Sequence, residues 1–264
     1  MMRALWTSAS GMIAQQLNVD TVANNLANVN TNGFRRVRAD FADLFYQIGR
    51  NPGATVTATQ RLPTGVQVGV GVRPMATTRD FYTLGNIQET GQPFDVAIMG
   101  QGFYVIQLPD GRQAYTRDGS FHLTANSELV SGDGLFTVPQ IVFPANMDQN
   151  LVTVGPDGQV TVTDPQGAIQ QVGQVQLARF VNPEGLRAVG GNLFVETEAS
   201  GQPITGIPGQ DGLGELQQRF LENSNVQVVT EMVGLIIGQR AYEANSNGIQ
   251  TADSMLNTAV TLRR

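Results

Sequence analysis

The chain has no cysteine and no lysine, one tryptophan and one histidine. Without cysteine there is no disulfide framework, no thiolate metal site and no cysteine nucleophile, although the compartment stays open. With only His122, a Ser-His-Asp triad would have to be built on that residue, and a histidine-based metal site is excluded. Long apolar runs are missing too: the most apolar C-terminal stretch, residues 232–238, is far short of the roughly 20 residues a membrane span needs. All 16 basic residues are arginine, a bias read first as genome composition. Residues 1–70 carry six Arg against three acids, residues 71–220 seven Arg against fifteen, and the net charge is −6. An acidic middle argues against a nucleic-acid partner, which needs a basic stripe. The short cluster Arg35, Arg36 and Arg38 does not overturn this and is read as a helix-exit or interface patch.

What the chain does have is periodicity at its two ends. Met2, Leu5, Ala9, Met12, Gln16, Val19, Ala23 and Leu26 follow alternate steps of three and four, and Trp6, Ile13 and Leu17 widen the stripe. The pattern predicts a helix over about residues 3–29. Thr7, Ser8, Ser10 and Gly11 interrupt the early apolar residues, so the segment reads as retained structure and not as a cleaved signal peptide. At the other end Val228, Leu235, Tyr242, Ile249 and Leu256 recur every seven residues, beside a row of small residues at Gly238, Ala252 and Ala259 with Asn245. A sustained seven-residue repeat implies supercoiling with a partner helix. Gln239, Ser246 and Asp253 make the seam narrow, which suits several neighbours or a channel-lining layer better than a two-helix zipper. Gly234 and Gly238 permit close helix contact.

Between the ends, short β-favouring runs from residue 66 to 207 alternate with turn signals. Five Asp-Gly pairs, at 110–111, 118–119, 133–134, 157–158 and 211–212, supply residues suited to tight hairpins. The fold class is therefore α+β: N- and C-terminal helices packed as a coiled-coil-like domain, with a central, mainly antiparallel β domain. The expected domains are 1–34, the N-terminal helix; 35–70, an extended connector; 71–220, the β domain; and 221–264, the C-terminal helix. Residues 46–65 lack a clear period and read as a long loop, which calls for a functional or interface explanation.

Candidate ligand sites fail on inspection. His122 alternates with Phe121 and Leu123 after a turn, as a strand residue would. The Asp-Gly pairs do not continue into the acidic alternation and distal Glu of a calcium loop. Gly69-Val70-Gly71 and Gly100-Gln101-Gly102 do not complete a phosphate loop, and the second runs into a strand-like segment where a dinucleotide site needs a helix. Glu196 and Glu198 read as a solvated strand face. No catalytic, metal or cofactor residue is assigned. Asn25-Leu26-Ala27-Asn28-Val29-Asn30-Thr31-Asn32-Gly33-Phe34 reads as the helix exit, with Gly33 as its cap and Phe34 as the closing contact.

That stretch, preceded by Ser8-Ala9-Ser10-Gly11-Met12 and followed by Gly102-Phe103-Tyr104-Val105 and Tyr115-Thr116-Arg117-Asp118-Gly119-Ser120-Phe121, resembles the bacterial flagellar rod and hook axial proteins. Glu222-Asn223-Ser224-Asn225-Val226 and Gln239-Arg240-Ala241-Tyr242-Glu243-Ala244-Asn245 look like that family's terminal helix. Residues 46–63 resemble the insertion of its distal rod members, with Tyr46, Gln47, Pro52, Gly53, Leu62 and Pro63 as landmarks and Gly49 and Asn51 as departures. The resemblance implies a helical homopolymer without enzymatic activity or cofactor, exported through the flagellar type III apparatus. It implies an assembly interface containing Leu5, Trp6, Met12, Ile13, Val19, Asn25, Leu26, Asn28, Gly33, Phe34, Val228, Leu235, Tyr242, Ile249 and Leu256. Implied partners are proximal rod proteins, the hook protein and junction, and the peptidoglycan-layer and outer-membrane ring proteins. A proximal rod or hook subunit is the alternative, and a secreted β-domain enzyme acting on polysaccharide a more distant one.

Overall fold

A computed structural model describes residues 2–51, 55–57, 60–61, 64–144, 147–164 and 168–262. The chain is α+β, with a helix at each end and antiparallel strands between them. It divides into two compact units. The first comprises residues 1–26, 37–78 and 227–264; the second comprises 27–36 and 79–226.

In the first unit, helix α1, Met2–Ala27, lies against helix α2, Val228–Thr261. The pair is antiparallel: Gly234 faces Val22, Gly238 faces Val19, Asn245 faces Gly11, and Gly248 faces Ser8. Glycine sets how close the helices come, since a Cβ on Gly238 would stand 2.9 Å from Val19 Cγ2. Strand Val37–Asp43 pairs with Val72–Arg79, and the main-chain N–H of Val72 donates to Ser10 Oγ across 3.3 Å.

The described part of residues 46–65 departs from the expected loop. Tyr46–Arg50 pairs antiparallel with Val66–Gly69, with an irregularity between Ile48 and Arg50. Glycine at 69 leaves room for the Tyr46 ring, whose Cε1 lies 3.4 Å from where a Cβ would be. Thr55–Thr57 pairs with Gln60–Arg61 further along. Pro52, Gly53, Leu62 and Pro63 lie outside the described residues.

The second unit is built on a nine-stranded sheet in which Phe103–Gln107 is central, pairing with Gln113–Thr116 on one side and with Phe136–Thr137 and Leu177–Arg179 on the other. Val152–Val154, Gln159–Thr163 and Ile169–Gln174 form a separate three-stranded sheet. Val160 and Val162 alternate inward with Tyr104, Phe121, Ile141 and Leu177 to make the larger core. A second cluster gathers Phe81, Phe103, Tyr115, Phe180 and Phe194, with edge-on rings such as Tyr115 and Phe180 at 4.7 Å. Asp110-Gly111, Asp133-Gly134 and Asp157-Gly158 turn hairpins with glycine at positive φ. Asp118-Gly119 does not: Gly119 has no positive φ, and a Cβ there would strike the Val96 carbonyl oxygen.

Candidate assembly surfaces

Within the helical unit, the buried face of α1 consists of Ala14, Thr21, Val22 and Asn25. It differs from the apolar stripe expected from periodicity. Leu5, Met12, Val19 and Leu26 are half-buried, while Trp6 is 73% exposed and Ile13 64% exposed. The buried residues of α2 are Glu231, Gly238 and Ala252, which belong to the small-residue row or its extension. The larger row flanks this seam, with Leu235, Ile249 and Leu256 half-buried and Val228 and Tyr242 exposed. Small and polar side chains allow the close approach of the two helices, so the bulkier apolar groups are left outward.

Asn25 is the polar keystone of this unit. Fully buried, it accepts from the Val37 N–H at 2.9 Å and donates through Nδ2 to Val37 O at 2.8 Å and to Glu231 Oε2 at 3.2 Å. One amide side chain thus pairs both main-chain groups of a strand residue and a carboxylate on the opposite helix.

Periodicity by sevens missed the most exposed apolar surface of α2. Val229, Met232, Val233, Ile236 and Ile237 follow helical spacing and all face water, Val229 being 75% exposed. The steps of three, four, seven and eight among these residues carry the missed signal. Further along, the outward side becomes mostly polar, with Gln239, Glu243, Asn247, Gln250, Ser254 and Asn257 exposed, although Met255 and Val260 are exposed as well. The ribbon offers a second apolar surface: Phe45 is 91% exposed, and Tyr46, Ile48, Val66 and Val68 are also exposed, with Gln47 beside them. A lone two-stranded ribbon is marginally stable in water, so exposed apolar groups on it favour a covering partner.

The β unit closes on a buried charged cluster that periodicity did not indicate. Glu222 Oε1 accepts from Arg35 Nη2 at 2.7 Å and from the Gly85 N–H at 2.8 Å, and Oε2 accepts from Arg117 Nη2 at 2.8 Å. Arg117 Nη1 donates to the carbonyls of Gly100 and Gly102, and Arg35 Nη1 to that of Thr83. Two guanidiniums therefore share one carboxylate. Burial, with Arg117 alongside, pushes Arg35 down to about 10 against the opposing pull of Glu222.

This cluster relocates the helix exit. The α1 helix stops at Ala27, so Gly33, at φ +68°, is not its cap. Its N–H donates to Glu222 O at 2.7 Å, and a Cβ would stand 2.7 Å from Asp118 N. Close backbone approach requires glycine there. Asn28 accepts from Thr31 Oγ1, Phe34 is buried, and the Arg36 N–H donates to Asn225 Oδ1 at 2.7 Å. Residues 222–226 likewise precede the C-terminal helix instead of forming its start.

Among the described residues, no group of metal-ligating side chains gathers and no helix is long and apolar enough to cross a membrane. Paired terminal helices with outward apolar surfaces, joined in sequence to an antiparallel β unit, define a structural protein of assembly type. Family models described as flagella basal body rod protein, flagellar hook protein FlgE/F/G D1 domain, and flagellar basal body rod FlgEFG protein C-terminal match residues 5–35, 97–162 and 217–262. The flagellar basal-body rod protein FlgG of Borreliella burgdorferi is 52% identical over 100% of both chains. FlgG of Bacillus subtilis is 36% identical over 100% of both. The crystal structure of the Helicobacter pylori flagellar hook protein FlgE2 aligns over 71% of this chain and 43% of that chain, at 15% identity and a TM-score of 0.24. The chain belongs to the flagellar basal-body rod protein family, whose members are axial structural proteins of the flagellar basal body and not enzymes.

Proposed function

We propose that this chain is the distal rod subunit, polymerising helically into a stiff hollow shaft that passes motor torque to the hook. The observation that carries this reading is the exposure of Trp6 and Ile13 on one terminal helix and of Val229, Met232, Val233, Ile236 and Ile237 on the other, where a single chain leaves them in water. Exposed apolar stripes of this extent call for protein neighbours. In this reading, the interface includes Leu5, Trp6, Met12, Ile13, Val19, Leu26, Val228, Leu235, Tyr242, Ile249 and Leu256, with Asn25, Asn28, Gly33 and Phe34 setting its geometry.

The ribbon at Tyr46 and Gln47, with Pro52, Gly53, Leu62 and Pro63, stiffens the rod by bracing neighbouring subunits. Neighbours would be the proximal rod proteins below, the hook junction above and the two ring proteins around the shaft as it crosses the periplasm and outer-membrane region. Export proceeds through the flagellar type III apparatus. The end helices gain much of their stability on assembly, which suits a chain that travels unfolded.

Complementation of a strain lacking this subunit tests the reading. Chains without residues 1–30 or 225–264 are expected to leave cells without rods and non-motile; normal motility from either truncation overturns it. Removal of residues 46–63 should give curved or flexible rods. Straight rods would favour a proximal rod or hook role.

A further inference from the structure

Within the β unit, the pentapeptide Glu222-Asn223-Ser224-Asn225-Val226 ties down two segments far from it in sequence. The Glu222 carbonyl accepts from the Gly33 N–H at 2.7 Å, and its carboxylate takes Arg35 and the Gly85 N–H. Asn225 Oδ1 accepts from the Arg36 N–H at 2.7 Å, and Asn225 Nδ2 donates to the carbonyls of Asp80 and Thr83, both at 3.1 Å. The Asn223 N–H donates to Asn86 O at 2.9 Å. One short strap therefore holds residues 33–36 and 80–86 together. It continues Phe220–Glu222, which pairs with Ile87–Glu89 in a two-stranded sheet apart from the nine-stranded one.

Bonds that share one strap are lost together when it lifts, and the ladder of the nine-stranded sheet takes no part in them. Proteins open locally in such contiguous units, at less cost than global unfolding. The anchor of this strap is also its weak point. Glu222 answers two guanidiniums with one carboxylate, and Arg35 Nε is buried without a hydrogen-bond partner. A buried polar network that is only partly satisfied holds less firmly than a complete one.

The same anchor restrains Asn32-Gly33. Asparagine followed by glycine is prone to attack by the glycine nitrogen on the asparagine side chain, because no Cβ stands in the way. Here that nitrogen is committed to Glu222 O, and Asn32 O accepts from Asn192 Nδ2 at 2.9 Å. Gly33, at φ +68°, is pressed against the main chain of Arg117 and Asp118. The attack requires Gly33 N to give up its hydrogen bond and turn toward the Asn32 side chain.

We infer that residues 222–226 open as one unit while the β core stays folded, and that Asn32-Gly33 is a deamidation site governed by this opening. With the strap lifted, Gly33 N bonds to the Asn32 side-chain carbonyl carbon, whose bond to the amide nitrogen breaks. The proton lost by Gly33 N leaves with that nitrogen as ammonia. Water then opens the succinimide to aspartate or isoaspartate, with no oxidation or reduction. Isoaspartate adds a methylene to the main chain, where a Cβ on Gly33 would already stand 2.7 Å from Asp118 N. The strap then cannot restore its bond to Gly33, so a reversible opening becomes a lasting one. None of this depends on the axial reading above.

Hydrogen exchange and peptide mapping of the full chain test the inference. In the unaltered protein the amides of Gly33, Arg36, Gly85 and Asn223 should exchange through one common opening, at lower cost than the Ile106 amide of the β core. Asn225→Ala should speed these amides by about tenfold, the effect of one side chain's lost hydrogen bonds, and leave Ile106 unchanged. Isoaspartate at position 32 should rise by the same factor on incubation at mildly alkaline pH. Asn247-Gly248, inside α2, is the internal reference and should not change. Asn225→Asp keeps the acceptor for Arg36 but loses the donor, and should fall between. Strap amides that open separately, or only together with Ile106, overturn the strap; this measurement uses the unaltered chain and stands even where a variant misfolds. Loosened strap amides without faster isoaspartate at 32 than at 247 overturn the deamidation site.

Discussion

Asn25 and Glu231, 206 residues apart in sequence, meet inside the helical unit with Asn25 Nδ2 donating to Glu231 Oε2 at 3.2 Å. The same asparagine satisfies both main-chain groups of Val37. It joins both helices and a strand through one side chain.

Asn25→Ala should therefore destabilise the helical unit by about 2 kcal/mol, because buried polar partners lose their bonds without replacement. Hydrogen exchange is the measurement: the Val37 amide should lose protection while amides of the β core, such as Ile106, keep theirs. Unchanged protection at Val37 would show that the side chain is dispensable. Asn25→Asp should be worse near neutral pH, since it places a second carboxylate against Glu231 and removes the donor to Val37 O.

In the β unit, Glu222→Gln leaves Arg35 and Arg117 buried without a counter-charge and should cost about 3 kcal/mol. Arg35→Met should cost less. It leaves a one-to-one pair of Glu222 and Arg117 and removes a guanidinium whose Nε has no hydrogen-bond partner. Urea unfolding followed by far-ultraviolet circular dichroism tests the order; an Arg35→Met loss exceeding that of Glu222→Gln would contradict it. Trp6 fluorescence is unsuitable because Trp6 belongs to the helical unit.

Two glycines separate strain from packing. Gly33→Ala combines a left-handed φ with collision against the main chain of Arg117 and Asp118, and should cost about 3 kcal/mol. At Gly238, a Cβ meets side chains alone, Val19 Cγ2 at 2.9 Å with Asn18 and Gln15 farther off, and the cost of shifting Val19 is offset by about 1 kcal/mol of helix propensity that alanine gains. Gly238→Ala should therefore be close to neutral, whereas Gly238→Leu forces α1 and α2 apart. Thermal unfolding of the three variants checks the ranking.

The terminal helices and antiparallel β middle were legible because both periods run through long stretches of the sequence. Which face of each helix turns inward was not. Apolar periodicity points to Trp6 and Ile13, but the α1–α2 contact uses Ala14, Val22, Gly238 and Ala252, residues whose advantage is smallness. Asp110-Gly111 could be read as a hairpin from its own chemistry. Asp118-Gly119 could not, because its glycine answers to the approach of Val96, a residue distant in sequence. The Arg35–Glu222–Arg117 cluster was equally hidden, since its members come from three separated segments. Tyr46–Arg50 is too short and too interrupted by Gly49 to declare its pairing with Val66–Gly69.

Tyr104 supplies a prediction in alkali. Its hydroxyl donates to Val96 O at 2.6 Å inside the larger core, and burial raises its pKa well above the ordinary value, with Arg117 pulling the other way. Burial also pushes Tyr115 up to about 12. A raised phenol pKa means that the fold favours the neutral form. Below about pH 10 the phenols are neutral in both the folded and the unfolded chain and contribute no pH dependence. Above it the unfolded chain gives up these protons while the folded chain holds them, so stability falls as pH rises toward the folded pKa values. Phenolate absorbance from Tyr104 and Tyr115 should accordingly appear together with loss of the β signal. Tyr104→Phe should cost about 1 kcal/mol near neutral pH, from the lost hydrogen bond. It should also flatten the alkaline decline, because one of the two phenols driving it is gone. An alkaline decline as steep in Tyr104→Phe as in the unaltered chain would show that Tyr104 ionisation does not drive it.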